Sequence, residues 1–425
     1  MNLRPYQSRA IADLRASYAS GKRAPCLVLP TGGGKTVIAS AVIRGAIERG
    51  RRVLFLAHRA ELISQSVSKL EASGVTDLRI IQAASDLGRQ QAPVAVASIP
   101  TLTKWGDRMP KADLVVFDEC HHTVARTWAT IASRYQSAHL LGMTATPQRA
   151  DGKPLGDVFD DLVVGSTVRE LTELGHLVPC RLWAPPVGVL EARELAVSPA
   201  TAYRQHGEGG RAVIFCVTKE HAANVAEEMN QAGVATGVVH GSLASAERAH
   251  TLTQLRTGAL QAVANVHVLT EGWDEPGVSV CILTRKPQHA GTYLQMVGRV
   301  LRPAPGKTHC ALLDLAGSSL EHGPPEMERV YSLDGKGISK VDRKQIRQCL
   351  GCGAVFEAGP QACPMCGFVL PHKPIEAPRV AGVGLVERTG EAVDTLLANL
   401  RAVAKRTKRG DGWVAQAHAA IGGVR

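Results

Sequence analysis

Short apolar runs alternate along this chain with longer stretches whose apolar positions recur at helical spacing. In the first half the runs are Cys26–Leu29, Arg52–Ala57, Leu78–Gln82, Val94–Ser98, Leu114–Phe117 and His139–Met143, and Val37–Ile47 is a helix between the first two. Runs this short and this apolar read as buried strands, and strands alternating with helices predict an α/β domain with a parallel sheet. The rhythm returns in the second half. Val213–Val217, Ala235–Val239, Gln261–Val266 and Val278–Leu283 are strand-like, Lys219–Gly233 and Ala244–Thr257 helical, and a further helix carries Gln295, Gly298, Arg299 and Arg302. Between the halves, Gly165–Gly210 is short and mixed, broken by Pro179, Pro185 and Pro186. Its helix Val168–Leu174 and the strand after it belong with the second domain, and no large insertion separates the two.

The chemistry concentrates where strands end. Pro30–Thr36 reads PTGGGKT between the first strand and the first long helix. Such a glycine turn points consecutive backbone N–H groups into one concavity at a helix N-terminus, where the dipole favours phosphate. Thr31, Gly32, Gly33 and Gly34 would form the cradle, Lys35 would reach the β/γ-phosphates, and Thr36 would place its hydroxyl on Mg²⁺. The eight-residue form of the motif wants a glycine where this chain has Leu29, and a plain glycine turn before a helix is the other reading. Asp118 and Glu119 follow the strand Leu114–Phe117. One carboxylate there can hold Mg²⁺ and its neighbour can orient or deprotonate an attacking water; taken alone they are also an ordinary loop acid pair. At the N-terminus, NLRPYQ (Asn2–Gln7) starts a helix at Pro5 that runs on through Ser8–Ala19. Gln7 could offer both amide donor and carbonyl acceptor to an adenine edge.

PTGGGKT, LAHR (Leu56–Arg59), DECH (Asp118–His121) and TATP (Thr144–Pro147) resemble the ordered motifs of superfamily 2 helicases, in which the phosphate loop normally reads as it does here. NVHVLTEGWDEP (Asn265–Pro276) and QMVGRVLRP (Gln295–Pro303) resemble the fifth and sixth motifs. Together with HGSLASAER (His240–Arg248) and a cysteine ribbon they resemble the RadD-like DNA repair helicases and their phage relatives, kin to restriction-enzyme motor subunits. The resemblance covers residues 1 to about 370. It implies two tandem RecA-like parallel-sheet domains plus a small zinc ribbon and helical tail, bounded at 1–165, 166–335, 336–372 and 373–425. It also implies Gln7 on adenine, Gly272 and Asp274 facing the nucleotide, and nucleic-acid contacts at His58, Arg59, Thr101, His240 and Thr270. Thr144 and Thr146 would couple nucleotide to track. Arg299 and Arg302, three apart on one helix face, would stabilise the charge that spreads over the transferred phosphoryl; read cold they are basic residues on a solvated face. The activity implied is ATP-dependent action on DNA, as helicase or translocase in repair, recombination or phage replication. An RNA helicase, or a zinc-ribbon DNA-binding module with a non-catalytic core, are the alternatives.

Cysteine usage adds a metal. Cys349-x2-Cys352, ten residues and Cys363-x2-Cys366 have the spacing of a closed four-thiolate Zn²⁺ site, each pair followed by a glycine for the knuckle turn. Free thiols or an iron–sulfur site are the other readings of that ligand pattern. Six further cysteines are scattered, which argues against a disulfide framework. The approach to the ribbon is basic (Lys336, Lys340, Arg343, Lys344, Arg347 against Asp342), and the net charge of +11 suits a polyanionic partner or merely a basic soluble protein. Pro371–Gly384 reads as a linker. Glu391–Lys405 reads as a helix leading to a basic end with Trp413, either on a phosphate backbone or docked with a solvated face. With no apolar run long enough to span a bilayer and no signal segment, the chain is expected in the cytoplasm, with the nucleoid, of a prokaryotic or phage-infected cell. Single-strand-binding or recombination proteins are candidate partners beside DNA, and no membrane is.

Overall fold

The computed structural model describes residues 3–58, 60–82, 85–122, 125–149, 152–185, 195–335, 345–370, 400–402, 404–405 and 414. In chain order the first lobe is α1 (Pro5–Ala19), β1 (Pro25–Val28), α2 (Lys35–Ile47), β2 (Val53–Ala57), α3 (Ala60–Ala72), β3 (Leu78–Gln82), β4 (Ser85–Leu87), β5 (Val94–Ser98), α4 (Ile99–Thr103), β6 (Leu114–Asp118), α5 (Ala125–Arg134), β7 (His139–Thr144) and β8 (Asp161–Val164). Its eight strands lie in the order β4-β3-β5-β2-β6-β7-β1-β8. All neighbours are parallel except the edge pair β3/β4. The central strands are buried on both faces, as β2 and β5 are along their whole length, which is why they read as continuous apolar runs instead of alternating ones.

The second lobe follows as α6 (Val168–Glu173), β9 (Cys180–Trp183), α7 (Pro199–His206), β10 (Ala212–Phe215), α8 (Lys219–Gln231), β11 (Thr236–His240), α9 (Ser245–Thr257), β12 (Ala262–Val266), β13 (Val280–Leu283), α10 (Ala290–Val297), β14 (Cys310–Asp314) and α11 (Ser319–His322). Its six strands, β11-β12-β10-β13-β14-β9, are all parallel. The strand expected after the first interlobe helix is β9, and it joins this sheet beside β14. A small antiparallel pair, β15 (Ile346–Gln348) and β16 (Val355–Glu357), closes the described part of the compact unit 1–370. In the remaining unit, 371–425, residues 400–402, 404–405 and 414 are helical. The linker Pro371–Gly384, most of the tail helix, Trp413, Pro186 and the basic run Lys336–Lys344 lie outside the described residues. No helix among the described residues is long and apolar enough to cross a membrane.

Three strands go beyond the apolar pattern. β4 is three residues long, β8 is a half-exposed edge, and β14 pairs between β13 and β9 although its run was not singled out. One expectation is corrected. The helix carrying Gln295 stops at Val297, with the Gly298 N–H bonding Leu294 O at 2.8 Å and tighter turns following. Arg299 and Arg302 therefore do not share a helix face. Pro303 disfavours helical geometry at the residue before it, so the helix could not have reached through Arg302.

Topology sets the site. β7 lies between β6 and β1, so Thr144 at its end separates the phosphate loop from the Asp118–His121 turn, and Leu29 N–H bonds Thr144 O at 3.0 Å. On the same strand, a Cβ at Gly142 would sit 2.6 Å from Phe159 Cε1 in a buried ring. Gly142→Ala is expected to cost about 1–3 kcal/mol of stability through overpacking, read from denaturant midpoints at unchanged slope.

Candidate active site

The loop after β1 takes the shape its glycines allow. Gly32 and Gly34 have φ of 86° and 84°, the left-handed region that side-chain-bearing residues avoid. Gly34 also has a neighbour in the way: a Cβ there would lie 2.5 Å from Gln7 Nε2. Lys35 opens α2, and its buried ammonium donates to Leu29 O at 3.3 Å and lies 3.5 Å from Glu119 Oε1. Thr31 is buried and Thr36 half-buried in the first turn of α2. Gln7 closes the first turn of α1, its Oε1 accepting the Arg4 N–H at 3.0 Å, so the side chain is fixed beside the loop.

Across β7, Asp118 closes β6, and Glu119 follows with φ 49°. An L-residue held in that region marks strain the surroundings must sustain. Burial, with the neighbouring Glu119 charge, pushes the Asp118 carboxyl up to about 7, against the pull of Lys35. Glu119 goes the other way: burial opposes its charge, yet Lys35, His121 and Arg299 hold it below the usual carboxylate range. Glu119 Oε2 is buried with no hydrogen-bond partner among the described residues, and His121 Nδ1 lies 3.4 Å from it. A desolvated carboxyl beside a carboxylate oxygen with spare acceptor capacity would suit a divalent cation and a water, and Thr36 and Asp118 could hold that cation.

The two lobes meet here. His121 Nδ1 is 2.8 Å from Thr144 Oγ1, and Gln295 Nε2 on α10 is 2.7 Å from His121 Nε2. Both ring nitrogens also face carboxylates, Nδ1 at 3.4 Å from Glu119 Oε2 and Nε2 at 3.7 Å from Glu271 Oε1, and Thr144 Oγ1 donates to Thr146 O at 2.7 Å. Beyond α10, Arg299 Nε and Nη1 donate to Thr270 O and Trp273 O at 3.1 and 2.7 Å. Arg302 Nη1 reaches Trp273 O at 3.3 Å and pairs with Asp274. The two guanidiniums thus converge by sharing one carbonyl. Burial, then the neighbouring Arg302 charge, lowers Arg299 to about 10. Gly272, with φ 70°, makes the turn that presents Trp273 and Asp274. Motif contact with the loop is direct: a Cβ at Gly298 would be 2.5 Å from Thr31 Cβ, and one at Gly32 would be 3.2 Å from Arg302 Cγ. Gln295, Thr144 and the shared Trp273 carbonyl leave no mark in the apolar pattern; only motif order pointed near them.

The expected nucleic-acid residues follow the carboxyl ends of four strands: His58 after β2, Thr101 in α4 after β5, His240 closing β11 and Thr270 after β12. Arg59 lies outside the described residues. His240 Nδ1 and Thr270 Oγ1 are buried without a hydrogen-bond partner among the described residues.

The cysteine quartet is assembled on the β15/β16 pair. Cys349 and Cys366 sulfurs are 3.6 Å apart, Cys352 and Cys363 3.8 Å, and all four lie within 4.8 Å of one another. Tetrahedral thiolates at the usual zinc–sulfur bond length would be about 3.8 Å apart. Gly353 and Gly367 have φ of 74° and 72°, and Gly351 and Met365 N–H groups point at Cys349 and Cys363 Sγ at 3.3 and 3.4 Å. The quartet could hold one zinc ion. Metal analysis is expected to find one zinc per chain, falling to near none in Cys363→Ser.

A phosphate loop, an acid pair and arginines brought from a second parallel α/β lobe define a nucleotide-hydrolysing motor core. Comparison with known proteins agrees. Residues 1–149 match the family model of the type III restriction enzyme res subunit, and 195–304 match the helicase conserved C-terminal domain. A 51.5 kDa protein of Lactococcus phage is 28% identical over 364 residues, covering 80% of this chain and 76% of its own length. A candidate ATP-dependent helicase of Saccharomyces cerevisiae, IRC3, is 26% identical over 360 residues, 75% of this chain but 52% of that protein. A fragment of the candidate HsdR subunit of a type I restriction enzyme from Vibrio vulnificus YJ016 superposes with a TM-score of 0.61 at 22% identity, over 79% of this chain and 70% of that one. The chain is a superfamily 2 helicase related to restriction-enzyme motor subunits, and its two lobes are tandem RecA-like domains.

Proposed function

We propose that the protein is an ATP-driven DNA translocase or helicase of the RadD-like kind, hydrolysing ATP in the cleft between its lobes. The observation that carries this is the convergence of Arg299 and Arg302 with the phosphate loop, locked by the His121–Gln295 contact. In this reading the N–H groups of Gly32 to Lys35 bind the phosphates, Lys35 leaves Leu29 O for the β/γ-phosphates, and Gln7 reads the base. Thr36 and Asp118 hold Mg²⁺, which supplies charge neutralisation on the phosphates. Glu119, kept ionised, orients and deprotonates the attacking water. Arg299 and Arg302, with Gly272 and Asp274, face the transferred phosphoryl from the second lobe. His58, Arg59, Thr101, His240 and Thr270 contact the nucleic-acid track, with Thr144 and Thr146 between track and nucleotide. The domain limits are 1–165, 166–335, 336–372 and 373–425, the third a zinc ribbon. Kinship to restriction subunits supports DNA over RNA, and the net charge of +11 suits either polyanion. A role in repair, recombination or phage replication in the cytoplasm follows from the RadD-like motif set.

Mg²⁺-dependent ATP hydrolysis should rise with single-stranded or duplex DNA more than with RNA, and Glu119→Gln should abolish it. Stimulation by RNA alone would transfer the motor to an RNA track, and no hydrolysis by zinc-loaded, folded protein on any polymer would sink the motor reading. Arg299→Ala should lower kcat roughly 10³-fold while nucleotide binding changes little, measured in steady state and by equilibrium binding.

A further inference from the structure

Tyr6 lies buried beneath the phosphate loop, and the motif reading gives it no task. Its hydroxyl donates to the Gly33 carbonyl at 2.9 Å, and Gln7 Nε2 approaches the same hydroxyl oxygen at 3.5 Å. The ring rests against His176, on the segment between α6 and β9, with centroids 5.3 Å apart at 45°. The next residue of that segment, Leu177, faces Gly32, where a Cβ would be 3.0 Å from Leu177 Cδ2.

The peptide unit joining Gly33 to Gly34 is planar and trans, so its C=O and N–H point in opposite directions. Drawing the Gly33 carbonyl onto Tyr6 therefore turns the Gly34 N–H away from α1, toward the concavity of the loop. Two glycines flank this peptide, and no side chain opposes its rotation by half a turn. Rotated, it would aim a carbonyl oxygen at the place where a phosphate oxygen belongs, replacing attraction by repulsion.

We propose that Tyr6 is a positioning residue whose hydroxyl latches the Gly33–Gly34 peptide with its N–H facing the phosphate. The inference rests on the nucleotide reading of the loop. It assigns a division of labour within α1: Gln7 sets the preference for adenine, and Tyr6 sets affinity for the phosphates of any nucleotide. Through His176 the latch is also buttressed by the connection to the second lobe.

Tyr6→Phe keeps the ring and deletes only the hydroxyl. Equilibrium binding of Mg²⁺–ADP to the full chain is expected to weaken about five- to tenfold, with the ratio of ADP to GDP affinity unchanged. The KM for ATP should rise by more than kcat falls. Hydrogen exchange in nucleotide-free protein should quicken at Gly33–Lys35 while the later turns of α1 keep their protection, which separates a released peptide from a loosened helix. ADP affinity within twofold of wild type overturns the latch, as does a loss of adenine preference in step with affinity, which would route the effect through Gln7. Wild-type protein that binds neither ADP nor GDP would overturn the nucleotide reading itself, a result distinct from either.

Discussion

Lys35 and Glu119 face each other at 3.5 Å with 9% and 15% of their side chains open to water, and the rest of the cleft is arranged around that nearly dry pair. Removing two charges from water is expensive, and their attraction offsets the cost only when both stay close and held. Glu119 takes the Lys35 charge in this way, and Asp118, which accepts the Glu119 N–H at 3.2 Å, is driven up to about 7 by burial and the adjacent carboxylate. The first lobe is therefore short of positive charge. In the second lobe Arg299 and Arg302 are buried together on one carbonyl, with Asp274 paired to Arg302 and the buried Glu271 acting on Arg299. A cation beside Asp118 and a phosphate beside the arginines would each meet a charge that burial has stripped of water.

The connection between lobes is short and polar at its centre. From Thr146 the hydrogen-bond chain runs through Thr144 and His121 to Gln295, so the end of β7, the turn after β6 and α10 share one proton arrangement. If Gln295 withdraws, His121 Nε2 loses this hydrogen bond in a nearly dry site, which is unfavourable. Around it, Gly298 against Thr31 and Gly32 against Arg302 leave no space for a side chain. Small residues at the contact let the backbones of the two lobes approach closely.

Much of this was legible in the chain. β3 and β5 have the limits that the apolar runs predict, and most of the other expected strands and helices differ by a residue or two, because strands buried on both faces carry no polar alternation to blur them. The glycine turn and the acid pair stand out in the sequence because both follow apolar runs that the structure shows as strands. Edge elements were not: β8 is half-exposed and β4 too short to show a period. The helix carrying the arginines was overextended, since spacing of three looks the same in a helix and in the tighter turns that follow Gly298. Long-range polar contacts such as His121 with Gln295, separated by 174 residues, have no local signature at all.

The four-cysteine element packs onto the second lobe instead of hanging from it. β9 is the outermost strand of the second sheet, and such an edge exposes unpaired backbone groups. Ala354 bridges to Trp183 on that strand, and Gln348 Nε2 donates to Ala184 O at 2.7 Å, so residues next to Cys349 and Cys352 cover the edge. Glu357 on β16 pairs with Arg169 on α6, while Ser166 and Glu170 at the start of that helix receive Arg9 from α1. Ion pairs this exposed add little stability on their own. The weight falls on the backbone bridge and on Val355, which packs into the core shared by both lobes. Holding the thiolates in one tetrahedron fixes the loops that make those contacts. A metal there would brace the edge of the second sheet and, through α6, the helix that bears Tyr6 and Gln7.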